Sequence, residues 1–133
     1  MSIRIDTSAW PLVLHVSEGE SKDADVDAYI REATTLLRRG EPHAVIVDAS
    51  ALSLATRYAR ARKKVWLAEN AELLRSSCVC TALVLTSPLA RFAAATVMLV
   101  RPFPTPYRIF ASEAEARVWA LAQLEARGAQ APG

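Results

Sequence analysis

The sequence is poor in the residues from which the commonest cofactor and catalytic sites are built. Only four of its 133 residues are glycine, Gly19, Gly40, Gly128 and Gly133, and no two of them stand together in a strand-to-helix loop. Backbone amides need glycines there to approach a phosphate closely, so P-loop and dinucleotide cradles are excluded. No G-x-S-x-G nucleophile elbow occurs. There are two cysteines and two histidines. Cys78 and Cys80 are two apart in an apolar run, which on a regular strand places them on one face with Cα atoms about 6.5–7 Å apart. That is at or beyond the reach of a disulfide, and the pair reads as core thiols of a reducing compartment. A Cys2His2 zinc site would need His15 and His43 to converge on them from other strands, without the spacing of a zinc motif. Neither metal nor cofactor is expected.

Charge and hydrophobicity set further bounds. A net charge of +2 is too small to predict nucleic-acid binding from bulk charge. The longest apolar stretch, Phe92 to Val100, is about half of what a bilayer span needs. The first residues, Met1-Ser2-Ile3-Arg4 onward, show no signal peptide. The expectation is a cytoplasmic protein with no membrane span and no nucleic-acid partner.

What is present suits one folded domain. Hydrophobic residues make up 52% and charged residues 23%, which argues against disorder. Ile3-Arg4-Ile5 alternates as a short strand, and Trp10 to Val16 reads as a second strand paired with it. Asp23 to Arg39 predicts a helix with acids in its first turn and Arg38-Arg39 in its last, stopped by Gly40 and Pro42. Ala44 to Val47, ending at Asp48, reads as a strand buried on both faces. Ser50 to Ser53 follows as a loop, with Ser53 an N-cap. A long helix spans Leu54 to Arg75, then a strand Cys78 to Leu85. Ser87-Pro88 opens a helix to Val100 that is apolar almost all round, and so is expected to be heavily buried or to lie against a partner. Tyr107 to Phe110 is a last short strand, and Ser112 with Glu115 forms a capping box for a final helix. The order β-β-α-β-α-β-α-β-α predicts a single α/β domain over residues 1–127, a mixed and mostly parallel sheet flanked by helices. Residues 128–133 read as a disordered tail.

Three local features carry a family resemblance. The strand Val45-Ile46-Val47-Asp48 is followed by Ala49-Ser50 and a long helix. The strand ending Thr86-Ser87 is followed by a small-residue helix. Tyr107-Arg108-Ile109-Phe110 precedes Glu113-Ala114 and Trp119. In this the sequence, over about residues 2–126, resembles the STAS/SEC14-like, anti-sigma-factor-antagonist-like bacterial domains. The resemblance implies a non-enzymatic domain that binds a protein, or in some cases a small or lipidic ligand. Phosphorylation-regulated antagonists carry Asp-Ser-Ser-Gly at the start of the helix after their Asp-bearing strand. Here that position reads Ala55-Thr56-Arg57-Tyr58, which lacks the phosphoacceptor serine and the glycine and leaves Thr56 as the hydroxyl at hand.

The residues leave three readings of function open. The first is a regulatory or scaffold domain that docks an unidentified protein partner. Five of the eight residues from Arg57 to Lys64 are basic, and Arg57, Arg60 and Lys64 share one helix face. With the adjoining loop residues Ser50, Ser53 and Thr56 they form the candidate docking face. The second is a small hydrophobic ligand or lipid-binding domain, or a homodimer, using Phe92, Met98, Leu99 and Phe103 as a pocket or seam. The third is a hydrolase in which Asp48, at a strand end where α/β sites gather, meets Ser50 or Ser53 and His15. The first reading is the one the sequence favours, with no catalytic residue assigned.

Overall fold

The computed structural model of the chain describes residues 3–18, 22–51, 56–100 and 103–130. Its elements are β1 (Ile3–Ala9), β2 (Leu12–Glu18), α1 (Asp23–Arg38), β3 (His43–Ala51), α2 (Arg57–Glu69), α3 (Ala71–Ser77), β4 (Cys78–Val84), α4 (Pro88–Val100), β5 (Tyr107–Phe110) and α5 (Glu113–Gln130). The five strands form one sheet in the order β1-β2-β3-β4-β5. β1 pairs antiparallel with β2, and every later pairing is parallel. This is the mixed, mostly parallel α/β sheet that alternating strands and helices predict. Gly19, the proposed cap Ser53 and the terminal residues 131–133 lie outside the described residues.

The core has two sides. On one, Leu12, Ala44, Ile46, Cys80, Ala82 and Val84 meet Ala116 and Ala120 of α5, with Trp119 tilted against Phe110 at 5.6 Å between centroids. On the other, Val13, Val45 and Cys78 meet Leu36 and Leu37 of α1 and Leu74 of α3. The central strands are apolar on both faces because both faces are covered, as a parallel ladder requires.

Four expectations are corrected. The helix predicted over Leu54–Arg75 is two helices, divided at Asn70. The Asn70 side-chain amide donates to Trp66 O at 2.9 Å, in competition with its own backbone N–H at 3.0 Å, and such local bonding ends helices. The cap of α2 is Thr56, which accepts from Ala59 N at 3.1 Å, rather than Ser53. Ser50 belongs to β3, which runs on to Ala51, and not to a loop. Cys78 and Cys80 face opposite sides of the sheet, because the β3–β4 register shifts between His43 and Ala44, opposite the two cysteines. Both are buried free thiols. At the C-terminal end, α5 continues through Gly128 to Gln130.

α4 departs from the first of its two expectations, heavy burial. None of its residues is buried. Its main support is β5, a strand of four residues at the sheet edge, which is too short to seat a helix of thirteen.

α5 approaches the sheet closely because Ala116 and Ala120 are fully buried small residues. Ala120→Leu will therefore destabilise the domain by about 1–3 kcal/mol through overpacking. Leu121→Ala, at an adjacent half-exposed position, will stay within about 0.5 kcal/mol of the parent. Urea unfolding of the two variants checks both figures.

Candidate functional site

α2 contributes no buried residue to the core, so something other than apolar packing has to hold it. The bond set is polar and runs to α1. Tyr58 Oη donates to Asp27 Oδ1 at 2.5 Å, and Arg62 Nε donates to the same oxygen at 3.1 Å. One turn further on, the Trp66 indole N–H donates to Thr34 Oγ1 at 2.7 Å, and Thr34 passes its own proton to Ile30 O at 2.7 Å. Tyr58, Arg62 and Trp66 recur every four residues and so form one stripe of the helix. Asp27 and Thr34, seven apart, form the matching stripe of α1. The hydrogen bond from Tyr58 is the main reason the Asp27 carboxyl sits below its ordinary range, with Arg62 acting in the same direction.

At about 100° per residue, Arg57, Arg60 and Lys64 fall on the side of α2 opposite that stripe, and all three are exposed. Of the predicted docking residues these three do share one outward face. Thr56 stands at its N-terminal edge, with its hydroxyl engaged in capping. Ser53 lies outside the described residues, and for Ser50 the described feature is its place in β3. The placement of the cations runs against the helix dipole. α2 has no acid in its first turn and no base in its last, whereas an isolated helix is stabilised by the reverse arrangement.

Behind α2 lies a small buried polar group. His15 of β2 is buried, and its Nδ1 shares a 2.6 Å hydrogen bond with Tyr29 Oη of α1, the two rings meeting edge-on. His15 Nε2 is the one buried side-chain nitrogen or oxygen without a partner among the described residues. Burial pushes the His15 pKa down to about 3, with smaller contributions from Lys63 and His43, so the ring is neutral near pH 7. Burial also pushes the Tyr29 phenol up. Lys63 is an exposed residue of α2, and desolvation of its ammonium lowers its pKa. Asp48 stands near the end of β3, paired in register with Val16 and Val84. The hydrogen-bond partner of the His15 ring is the Tyr29 phenol.

The soft ligands do not assemble. His43 Nδ1 bonds Glu41 O at 2.8 Å, and its ring stacks on Trp10. Burial raises the thiol pKa of Cys78 to about 11 and of Cys80 to about 12, away from the thiolate that binds metal. Among the described residues no three His, Cys, Asp or Glu side chains are placed to hold a metal ion.

On α4, Phe92 and Leu99 share the outer face, whereas Met98 lies half-buried on the inner side of the same helix. Phe103 packs edge-on against Tyr107, 6.4 Å between centroids. Arg91 turns back and donates to Leu85 O at 2.8 Å and Thr86 O at 3.0 Å. Among the described residues no helix is long and apolar enough to cross a membrane.

Sequence reasoning found the outer face of α2 but missed what holds its inner face. Asp27 to Tyr58 and Thr34 to Trp66 span 31 and 32 residues, so no local motif joins them. The available signal was the four-residue spacing of Tyr58, Arg62 and Trp66, three side chains that each combine an apolar body with a polar tip.

Because His15 is neutral in the folded chain, its pKa there lies below the unfolded value of 6.5. Its contribution to stability is complete above pH 6.5 and is lost as pH falls toward 3. The loss approaches about 1.4 kcal/mol per pH unit at most. His43, also pushed down by burial, adds to it. Urea titrations at pH 7 and pH 5 will show this loss in the parent chain and a smaller one in His15→Gln.

No protein-family model matches the chain. No curated protein is significantly similar to it. Among solved structures, one from Shewanella loihica PV-4 superposes with a TM-score of 0.70 at 14% identity, covering 90% of this chain and 92% of its own. It is described as an uncharacterized protein from the DUF3478 family with a SpoIIAA-like fold. The sheet order, the antiparallel first hairpin and this superposition agree: the chain has the SpoIIAA-like fold, the fold of the STAS anti-sigma-factor antagonists.

Proposed function

We propose that this domain is a non-catalytic regulatory or scaffold module of the cytoplasm that works by docking an acidic protein through the outer face of α2. The observation that supports this most directly is the charge arrangement of that helix. Arg57, Arg60 and Lys64 are exposed on one side, and Arg57 and Arg60 stand in the first turn, where the backbone dipole disfavours cations. No acid precedes Glu69 in α2. A face that lowers the stability of its own helix is better accounted for by a partner than by the fold. The polar attachment to α1 leaves that face outward and gives it a fixed orientation. A row of cations with matched spacing steers and orients an acidic surface.

The non-catalytic part of the reading is supported by the surroundings of His15. Its Nδ1 is taken by Tyr29, and with a pKa pushed down to about 3 the ring is a poor base near neutral pH. The free, buried thiols of Cys78 and Cys80 suit a reducing cytoplasm.

Affinity capture with the full chain tests the proposal, comparing the parent with Arg57→Glu/Lys64→Glu. Both substituted side chains are exposed, so the variant will keep its far-UV circular dichroism. The expected result is an acidic protein retained by the parent, released near 1 M salt where the Debye length is about 3 Å, and absent from the variant. Equal capture by the folded variant, or retention indifferent to salt, would falsify the docking face.

A further inference from the structure

We propose that α4 is the seam of a symmetric homodimer, in which the helix packs antiparallel against its copy in a second chain. The inference is independent of the α2 docking face and rests on four observations about α4.

The first is exposure. Leu89 is 77% exposed, Phe92 73%, Leu99 83% and Val100 78%. These four side chains present on the order of 600 Å² of apolar surface, at the upper end of the largest patch an ordinary monomer shows. With Ala93, Thr96 and Val97 added, the face approaches the roughly 800 Å² that each partner contributes to a standard interface.

The second is spacing. Leu89, Phe92, Ala93, Thr96, Leu99 and Val100 follow steps of three, one, three, three and one, which is the stripe of a helix that packs on another helix. The face turned toward the domain is a different one, made by Ala90, Arg91, Ala94 and Met98. α4 therefore has two packing faces, and the domain uses one.

The third is the centre of the stripe, where Ala93 and Thr96 lie at equal distances on either side of the point between positions 94 and 95. An antiparallel copy related by a two-fold axis there sets Ala93 of each chain against Thr96 of the other, so the axes approach closely. Leu89 and Val100 pair in the same way at the two ends of the crossing, so each contact is made twice, as in an isologous interface.

The fourth is charge. A surface facing its own copy meets its own charges, and like charges oppose such a contact. The one ionisable residue of α4 is Arg91, and it is bonded back to Leu85 O and Thr86 O. The Thr96 hydroxyl donates to Phe92 O at 3.0 Å, which satisfies it within the helix and leaves its methyl group outward.

Sedimentation equilibrium of the full chain at micromolar concentration tests the seam. The expected mass is twice the 14.5 kDa of one chain. Phe92→Glu/Leu99→Glu, or Leu99→Glu alone if the double variant does not fold, is expected to give the single-chain mass with unchanged circular dichroism. Thr96→Cys, at the centre of the stripe, is expected to form an intermolecular disulfide on mild oxidation, while the buried native thiols do not. A parent chain that stays monomeric throughout overturns the proposal, including one that binds neutral lipid vesicles or another protein through α4. So does a folded Leu99→Glu variant that remains dimeric, or a dimer that Thr96→Cys fails to cross-link.

Discussion

β3 and β4 have neighbours on both edges and apolar side chains on both faces, and a parallel ladder of that kind has to be covered above and below. Much of the rest of the structure is the consequence. On one side a single helix, α5, supplies the cover, which is why its contact residues are the alanines Ala116 and Ala120: one helix reaches several strands only by lying close. On the other side α1 and α3 place Leu36, Leu37 and Leu74 against the sheet. The cover thins toward β5. Four residues of strand extend about 13 Å, and the thirteen residues of α4 about 20 Å. A helix set on so short an edge strand keeps one side in water, and the composition of α4 makes that side apolar.

The same division explains α2. Its attachment to α1 is made by Asp27 and Thr34, and its half-buried Trp66 and Leu67 only adjoin the core. Hydrogen bonds to a carboxylate are directional and stronger than neutral ones, so they fix the rotation of α2 about its axis with little apolar surface. Once the rotation is fixed, the residues on the far side are released from any packing requirement. Arg57, Arg60 and Lys64 occupy that released side. Arg62, from the same basic run, does not: it is spent on Asp27. A run of five basic residues that looks uniform in the sequence therefore divides by angle into structural and outward-facing members.

The topology was legible because it depends on local signals. The apolar β-branched runs at Val45–Val47 and Val79–Val84, the stop at Gly40 with its φ of +68°, and the Ser87 and Ser112 caps, which accept from Ala90 N and Glu115 N at 3.3 Å, are readable residue by residue. The illegible parts depend on distance along the chain. The composition of α4 predicts a helix that is buried or lies against a partner, but burial also needs an underlying surface, and four residues of β5 are too few to supply it. The break at Asn70 is one residue within a continuous helical pattern. The sidedness of Cys78 and Cys80 turned on a register shift against another strand, which inverts side-chain direction and leaves no mark in the local sequence. The His15–Tyr29 pair joins β2 to α1, and neither residue has a pattern around it that announces the other.

The two outward faces are chemically unlike, and this separates what each can do. Docking through the α2 face, as proposed, would act through charge, so it would weaken as salt screens it and would select partners by sign and spacing. The α4 face carries no outward charge, so association through it follows apolar burial, which moderate salt does not screen. In a two-fold dimer closed through α4, every feature of one chain is present twice, including the cationic row of α2. An acidic partner that is itself dimeric or repetitive then meets two copies of a weak site on one rigid body. The second contact is intramolecular and gains from effective concentration wherever the spacing of the partner matches. A row of three exposed cations, modest as a single site, would become an effective one by such duplication. In the proposed dimer the apolar helix would supply the duplication without competing for the charged surface, which would give one small domain a physical reason to keep both faces uncovered.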